Sequence, residues 1–318
     1  MRLYRLRSEA GDAHVAIAVD DGAPVDVAEA FALAGGGSPP PYLRSMLELI
    51  QTPAALHELV EVARTGSSGH AGRAGAPSAR WLPPLESVSS LRDFLAFEDH
   101  VKRGARRRGS DVPDHWYEAP VYYKGNHRAI LGPDDECPWP AYTNRLDFEL
   151  ELALVVGTGG RNIAARDAAR HIFGFTIFND FSARDVQARE MSAWLGPAKG
   201  KDFANALGPC IVTIDEVGPE PDLAMSCRIN GEEWGRARSS EMYWRWADMI
   251  AHVSQAEDIW PGDVYGSGTP GGCCGLDLDR ALRPGDVVEL EIERIGVLRN
   301  TIGAPPASRP EEPSRAGP

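Results

Sequence analysis

The sequence predicts a β-rich α+β fold, a strand-dominated roll or sandwich with a small α/β unit at its N-terminus. Three observations predict it. Pro and Gly are abundant, 25 and 33 of 318 residues, which favours many turns over a helical bundle. Apolar and polar residues alternate in several short runs, the period of a strand. Helical patterns are few and brief. An apolar share of 43% supplies a sizeable core.

In chain order, residues 1–65 read as the small α/β unit. "HVAIAVDDGAPVDVAEA" predicts a hairpin and "PYLRSMLELIQTPAALHELVEVART" helical pieces. The Gly-rich stretch 66–80 reads as a linker, and residues 81–303 form the β-rich body. Residues 304–318, with almost nothing to bury, read as a disordered tail. Within the body, residues 91–109 look helical as far as Gly109. "VYYKGNHRAILGP" reads as a strand and turn, and residues 145–157 as one strand. "ARDAARHIF" predicts a short helix, "GFTIFND" a strand, and "SARDVQARE" a helix capped by Ser182. "LGPCIVTID", "LAMSCRIN" and "GDVVELEIERIG" are further strands. "EMYWRWADMIAHV" reads as an amphipathic helix packed on the body or on a partner subunit.

A net charge of −13 argues against nucleic acid or an anionic membrane as partner. No segment has the length and apolarity of a signal peptide or a membrane span. The five cysteines are odd in number, lack zinc-type spacing and include an adjacent pair, so a reducing, cytoplasmic setting is expected. "VVGTGGRN" follows a strand but lacks the spacing of a dinucleotide fold.

The stretch "RLDFELELALVVG" poses the chemical question. On a strand, Asp147, Glu149 and Glu151 share one face. A solvated face is the ordinary reading of such alternation. Burying the acids unpaired costs on the order of several kcal/mol each, so they are wet, protonated or neutralised by a cation. Asp180, at the end of a second apolar strand, either caps the helix after it or adds a third carboxylate. Such an oxygen-rich cluster suits Mg²⁺, Mn²⁺ or Ca²⁺ and not zinc.

"LDFELELALVVG", "FGFTIFNDFSARDVQ", "GPAKGKDF" and "GSGTPGG" occur in that order, and the chain resembles the fumarylacetoacetate hydrolase family over roughly residues 81–303. The resemblance implies that family's mixed β-sandwich roll and a homodimer. It implies a divalent cation, Mg²⁺ first with Ca²⁺ or Mn²⁺ as alternatives, on Glu149, Glu151 and Asp180. "DFLAFEDH" resembles the segment that adds Asp93 as a fourth ligand and His100 as general base. Lys201 is implied to stabilise developing negative charge. Arg184, Gln187, Thr269, Tyr123 and Lys124 are implied to bind substrate. Read without the resemblance, Asp93 is a helix cap, His100 and Lys201 are surface residues, and "GSGTPGG" is loop chemistry.

The resemblance also departs in places. Leu95 and Met191 stand where fumarylacetoacetase has tyrosines. "CCGLDLD" offers no glutamate to pair with His100, which leaves Asp99, another acid or nothing to orient it. The implied activity is hydrolysis of a C–C bond in a fumarylacetoacetate- or acylpyruvate-like diketo acid through a metal-stabilised enolate. The alternatives are isomerisation, hydration or decarboxylation of a related 2-keto acid in the same site, and a catalytically inactive metal-binding protein. Aromatic-compound catabolism is the usual family setting.

Overall fold

The strand Leu150–Val156 carries apolar residues on both faces, so it needs cover on both. Leu150, Leu152 and Leu154 point into one hydrophobic cluster and Ala153 and Val155 into another, which makes this a central strand. A computed structural model shows how that cover is supplied; it describes residues 1–7, 11–19, 22–33, 40–52, 54–56, 59–61 and 80–307. The linker expected over 66–80 lies outside the described residues except for Arg80, as does the expected tail from residue 308 onward.

Leu150–Val156 lies inside an eleven-stranded sheet. Its main path runs Val25–Asp26, Ala13–Ala18, Arg2–Arg7, Asn205–Thr213, Ile172–Asn179, Leu150–Val156, Val264–Gly266, Leu91–Phe94 and Tyr122–Gly125. Most neighbours are antiparallel, but Val264–Gly266 and Leu91–Phe94 are parallel. A five-stranded sheet, Glu232–Arg238, Ala224–Ile229, Val287–Ile292, Gly296–Ile302 and Glu136–Cys137, supplies Met225, Leu290 and Leu298 to the cluster that also holds Leu152 and Phe175. The helix Trp246–Val253 adds Trp246 against Phe175, ring centroids 5.6 Å apart.

The N-terminal strands extend this large sheet. Leu3 pairs with Ile211 and Arg2 with Val212, and Leu3 and Ile17 share a cluster with Val155 and Ile211. The unit read over 1–65 therefore shares sheet and core with the body. This is the face of the central strand on which Glu151 stands, and it is covered, not wet.

Three local expectations are corrected. Residues 91–94 form a buried strand, because Val264–Gly266 offers them a parallel partner; the helix begins only at Glu98 and ends at Gly109, φ 67°. Residues 145–157 are not one strand. Leu146–Asp147 pairs with Ser182–Ala183, and Leu150–Val156 pairs with Ile172–Asn179. The helix Arg184–Ser192 is preceded by Ala183 at its cap, while Ser182 sits in a strand and its hydroxyl donates to the Asp180 carbonyl. Among the described residues no helix is long and apolar enough to cross a membrane.

Candidate metal centre and active site

Asp93, Glu149, Glu151 and Asp180 converge from three segments, each offering one oxygen within 4.8 Å of the others, and all four residues are buried. Asp93 comes from the strand Leu91–Phe94, parallel to Val264–Gly266, where Asp93 stands opposite Gly266. That glycine is a spatial requirement. A Cβ there would lie 2.6 Å from Glu151 Oε2 and 2.7 Å from Asp93 Oδ1.

The donors around these acids follow a pattern. Glu151 Oε2 accepts from the Gly268 N–H at 2.9 Å. Asp180 Oδ2 accepts from the Tyr123 hydroxyl at 2.8 Å and from Lys201 Nζ. Glu149 accepts from Arg184 Nη2 at 2.8 Å and from Lys201 Nζ. The second oxygens, Glu151 Oε1 and Asp180 Oδ1, are buried without a donor, as is Asp93 Oδ1. Asp93, Glu151 and Asp180 thus each keep one buried oxygen bare, whereas both oxygens of Glu149 are engaged. Bare buried oxygens gathered in one cluster are what a bound ion would satisfy.

Electrostatics agree. Burial raises the Asp93 and Glu151 carboxyls well above their ordinary range; the Asp180 charge adds to the rise at Asp93, and the Asp93 charge adds to the rise at Glu151. Burial also raises Asp180, with Lys201 opposing. Burial acts on Glu149 in the same sense, but Arg184 and Lys201 outweigh it and hold this carboxyl low. Burial would lower Lys201, yet Asp180 and Glu149 outweigh that and keep it charged. The cationic side chains thus compensate Glu149 best and leave Asp93 and Glu151 the least compensated, pushed toward their protonated forms unless a cation is bound. An all-oxygen set with three bare atoms fits a hard divalent cation.

Asp147, read beside Glu149 and Glu151, does not join them. Its carboxylate accepts from Arg184 Nε at 2.7 Å and from the Gly275 and Leu276 N–H groups at 2.8 Å. These bonds interrupt the strand at Phe148 and fix Arg184, which then grips Glu149. Nη1 of Arg184 donates to Gln187 Oε1 at 3.1 Å. Each of the three guanidinium nitrogens thus donates within the protein, which braces Arg184, while Nη1 and Nη2 each keep a second N–H and the residue lines the adjacent cavity.

Asp93, Glu149 and Glu151 line a cavity of about 600 Å³, whose wall also includes His100, Tyr123, Gln187, Lys201 and Thr269. His100 sits in the first turn of the helix Glu98–Arg108. Its orienting acid is Asp277: His100 Nδ1 lies 2.8 Å from Asp277 Oδ2, which also accepts from the Gly272 N–H at 3.0 Å. Burial raises Asp277, but the bond to His100 outweighs it and the carboxyl lies below its usual range. Asp99 pairs instead with Arg103 at 2.7 Å. Sequence reasoning missed Asp277 although it lies within "CCGLDLD". The available signal was the acid two residues past Gly275, outside the position at which a glutamate was sought. Thr269 is buried and its hydroxyl donates to the Leu150 carbonyl at 3.3 Å. Leu95 and Met191 line the cavity as apolar wall.

Lys124 is a correction. Successive strand residues face opposite ways, so the geometry that sends Tyr123 to Asp180 sends Lys124 outward. Its side chain is 68% exposed and lies 3.8 Å from Glu257.

Residues 90–303 match the family model described as fumarylacetoacetate (FAA) hydrolase, C-terminal. A human protein named mitochondrial oxaloacetate tautomerase FAHD2A is 39% identical over 212 residues, covering 65% of this chain and 64% of that protein. The match thus spans slightly less than two thirds of that relative's length. The solved structure of a fumarylacetoacetate hydrolase from Exiguobacterium antarcticum is similar at 28% identity and a TM-score of 0.73, over 96% of this chain and 99% of that one. A 5-carboxymethyl-2-hydroxymuconate delta-isomerase from Mycobacterium smegmatis is similar at 27% identity and a TM-score of 0.66, over 95% and 99%. Motifs, fold and these likenesses agree that the chain belongs to the fumarylacetoacetate hydrolase family.

Proposed function

We propose that this protein is a divalent-cation-dependent enzyme acting on 2-keto acids, and that it moves a proton at the carbon beside the keto group of an oxaloacetate-like diacid. One observation carries the reading: Asp93 and Glu151, each with a donorless carboxylate oxygen, line the same cavity as a His–Asp pair. Asp93, Glu149, Glu151 and Asp180 would hold the cation, with Mg²⁺ the first candidate and Mn²⁺ or Ca²⁺ the alternatives. When bound, the cation supplies electrophilic stabilisation of negative charge on the keto oxygen.

The chain's own residues do the rest. Asp277 takes the Nδ1–H of His100, which fixes the tautomer and leaves Nε2 as the proton acceptor. The Asp277 carboxylate then stabilises the imidazolium that forms. Lys201 keeps its charge beside Glu149 and Asp180, where it favours an enolate over the neutral ketone. The Gln187 amide N–H₂ orients the acid's oxygens, and the Thr269 hydroxyl joins it on turning away from the Leu150 carbonyl. Leu95 and Met191 give that side of the cavity an apolar wall. The names of the human relative and of the mycobacterial isomerase support enolisation as the net reaction.

C–C hydrolysis is the second reading, favoured by cavity size. About 600 Å³ exceeds what a four-carbon acid fills and leaves room for an acyl fragment and a water. In that reaction His100 takes a proton from water, the hydroxide adds to the distal carbonyl, and the C–C bond's electron pair goes to the enolate fragment. A homodimer and a reducing, cytoplasmic setting belong to the same proposal; all five cysteines are free.

The decisive experiment follows the enol absorbance of oxaloacetate and, separately, product acids from acylpyruvates, with Mg²⁺ or with chelator. Enol decay faster than buffer, abolished by chelator and by His100→Ala, is the expected result. Release of two acids from an acylpyruvate without faster enol decay selects hydrolysis. No acceleration of either reaction with Mg²⁺, Mn²⁺ or Ca²⁺ overturns both.

A further inference from the structure

Beside His100 and Asp277 the chain carries a donor that the proposed reaction does not use, the Cys274 thiol. Cys274 is fully buried, and its Sγ lies with an imidazole nitrogen of His100 and a carboxylate oxygen of Asp277 inside a 4.8 Å sphere of mutual separations. Imidazole and thiolate are the donors zinc-class cations prefer, the reverse of the hard oxygens in the acidic nest. The 2.8 Å between His100 Nδ1 and Asp277 Oδ2 is near the roughly 3.3 Å that separates two ligands around a tetrahedral ion with bonds of about 2.0 Å.

A second observation points to a ligand. The Asp277 side chain is 0% exposed, and its Oδ1 is buried without a hydrogen-bond donor; its nearest cation, Arg107 Nη2, stands off at 3.8 Å. His100 and Asp277 line the cavity, which gives an ion a path in and an open fourth position. Glu149 and Cys274 face each other across an isolated backbone bridge, so the hard nest and this soft cluster share a wall.

We propose that His100, Cys274 and Asp277 form a second metal site, selective for Zn²⁺-class cations, whose occupation withdraws His100 from its role as base. On binding, the Cys274 thiol proton leaves to solvent and the thiolate ligates the ion. Thiolate and carboxylate together balance its two positive charges, while the imidazole, its proton moved from Nδ1 to Nε2, joins through Nδ1 as a neutral ligand. Zn²⁺ then inhibits an enzyme whose acidic nest is already filled with Mg²⁺. The inhibitory half of this proposal rests on the function proposed above; the metal site itself does not.

The test uses the full chain saturated with Mg²⁺, titrated with Co²⁺ or Cd²⁺ as spectroscopic stand-ins for Zn²⁺. A thiolate-to-metal charge-transfer band saturating at one ion per chain is expected, and its loss in Cys274→Ser. Zn²⁺ inhibition, normalised to each variant's own metal-free rate, should weaken at least tenfold in that variant. Cys274→Ala repeats the comparison if the serine variant does not fold, and the wild-type spectrum stands without either. Absence of the band in wild type, or an undiminished band in the variant, overturns the site. A Cys274-dependent band without inhibition upholds the site and sinks the assignment of His100 as base.

Discussion

Arg92 and Asp93 are consecutive on one strand, yet they belong to two buried charge clusters of opposite character. Arg92, on one face, donates to Ser90 and Glu257, lies 3.5 Å from Asp263, and sits 5.9 and 5.6 Å from the ring centroids of Tyr122 and Tyr265. Its charge is matched by neighbouring carboxylates. Asp93, on the other face, meets three further acids, and Lys201 and Arg184 do not neutralise them all. A matched cluster holds the sheet together. An unmatched one costs the apoprotein stability, and that cost makes sense where a cation completes the cluster.

Substitutions on the two faces should therefore separate binding from stability. The largest effect is expected from Glu151→Gln. Cation affinity should fall about 100-fold or more, with turnover reduced to background, as read by calorimetric titration and the enol assay. Arg92→Met should do the reverse. It leaves Asp263 buried beside an apolar side chain and should cost about 3 kcal/mol in denaturant unfolding, with cation affinity unchanged within about twofold. Asp277→Asn lies between these cases, since it touches His100 and not the nest. Turnover should drop about 100-fold at unchanged cation affinity.

A smaller effect tests the uncompensated burial of Asp93 directly. Burial raises the Asp93 carboxyl, so in chelator the folded state retains a proton that the unfolded chain releases. Wild type should then lose stability relative to Asp93→Asn as pH climbs above about 4, an effect on the order of 1 kcal/mol in unfolding titrations. Mg²⁺ should reverse the ranking. Lys124→Ala should change neither activity nor stability beyond about 0.5 kcal/mol, which checks that the outward face of its strand is inert.

What the sequence disclosed follows the range of the interactions. Alternation on Leu150–Val156 placed Glu151, and the apolar run before Asp180 placed that acid at a strand end; both are local patterns. Asp277 was missed because its bond to His100 spans 177 residues and depends on how the loop after Thr269 folds back. Residues 91–94 looked helical because a helix follows them, and only the distant strand Val264–Gly266 makes them extended. The break at Phe148 was equally hidden, since it depends on Asp147 finding Gly275 and Leu276. Lys124 failed for a simpler reason, as the family pattern names a position and not the side of the strand it faces.

The acidic nest draws on residues 93, 149, 151 and 180, with room left by residue 266, so an unfolded chain contains no such arrangement. Any ion it captures therefore binds only the native state, and mass action converts occupancy into stability, about 2.7 kcal/mol at one hundred times the dissociation constant. The melting temperature of this protein becomes a property of its buffer as much as of its chain. Thermal scans across a magnesium series would then report ligand affinity without any substrate at hand.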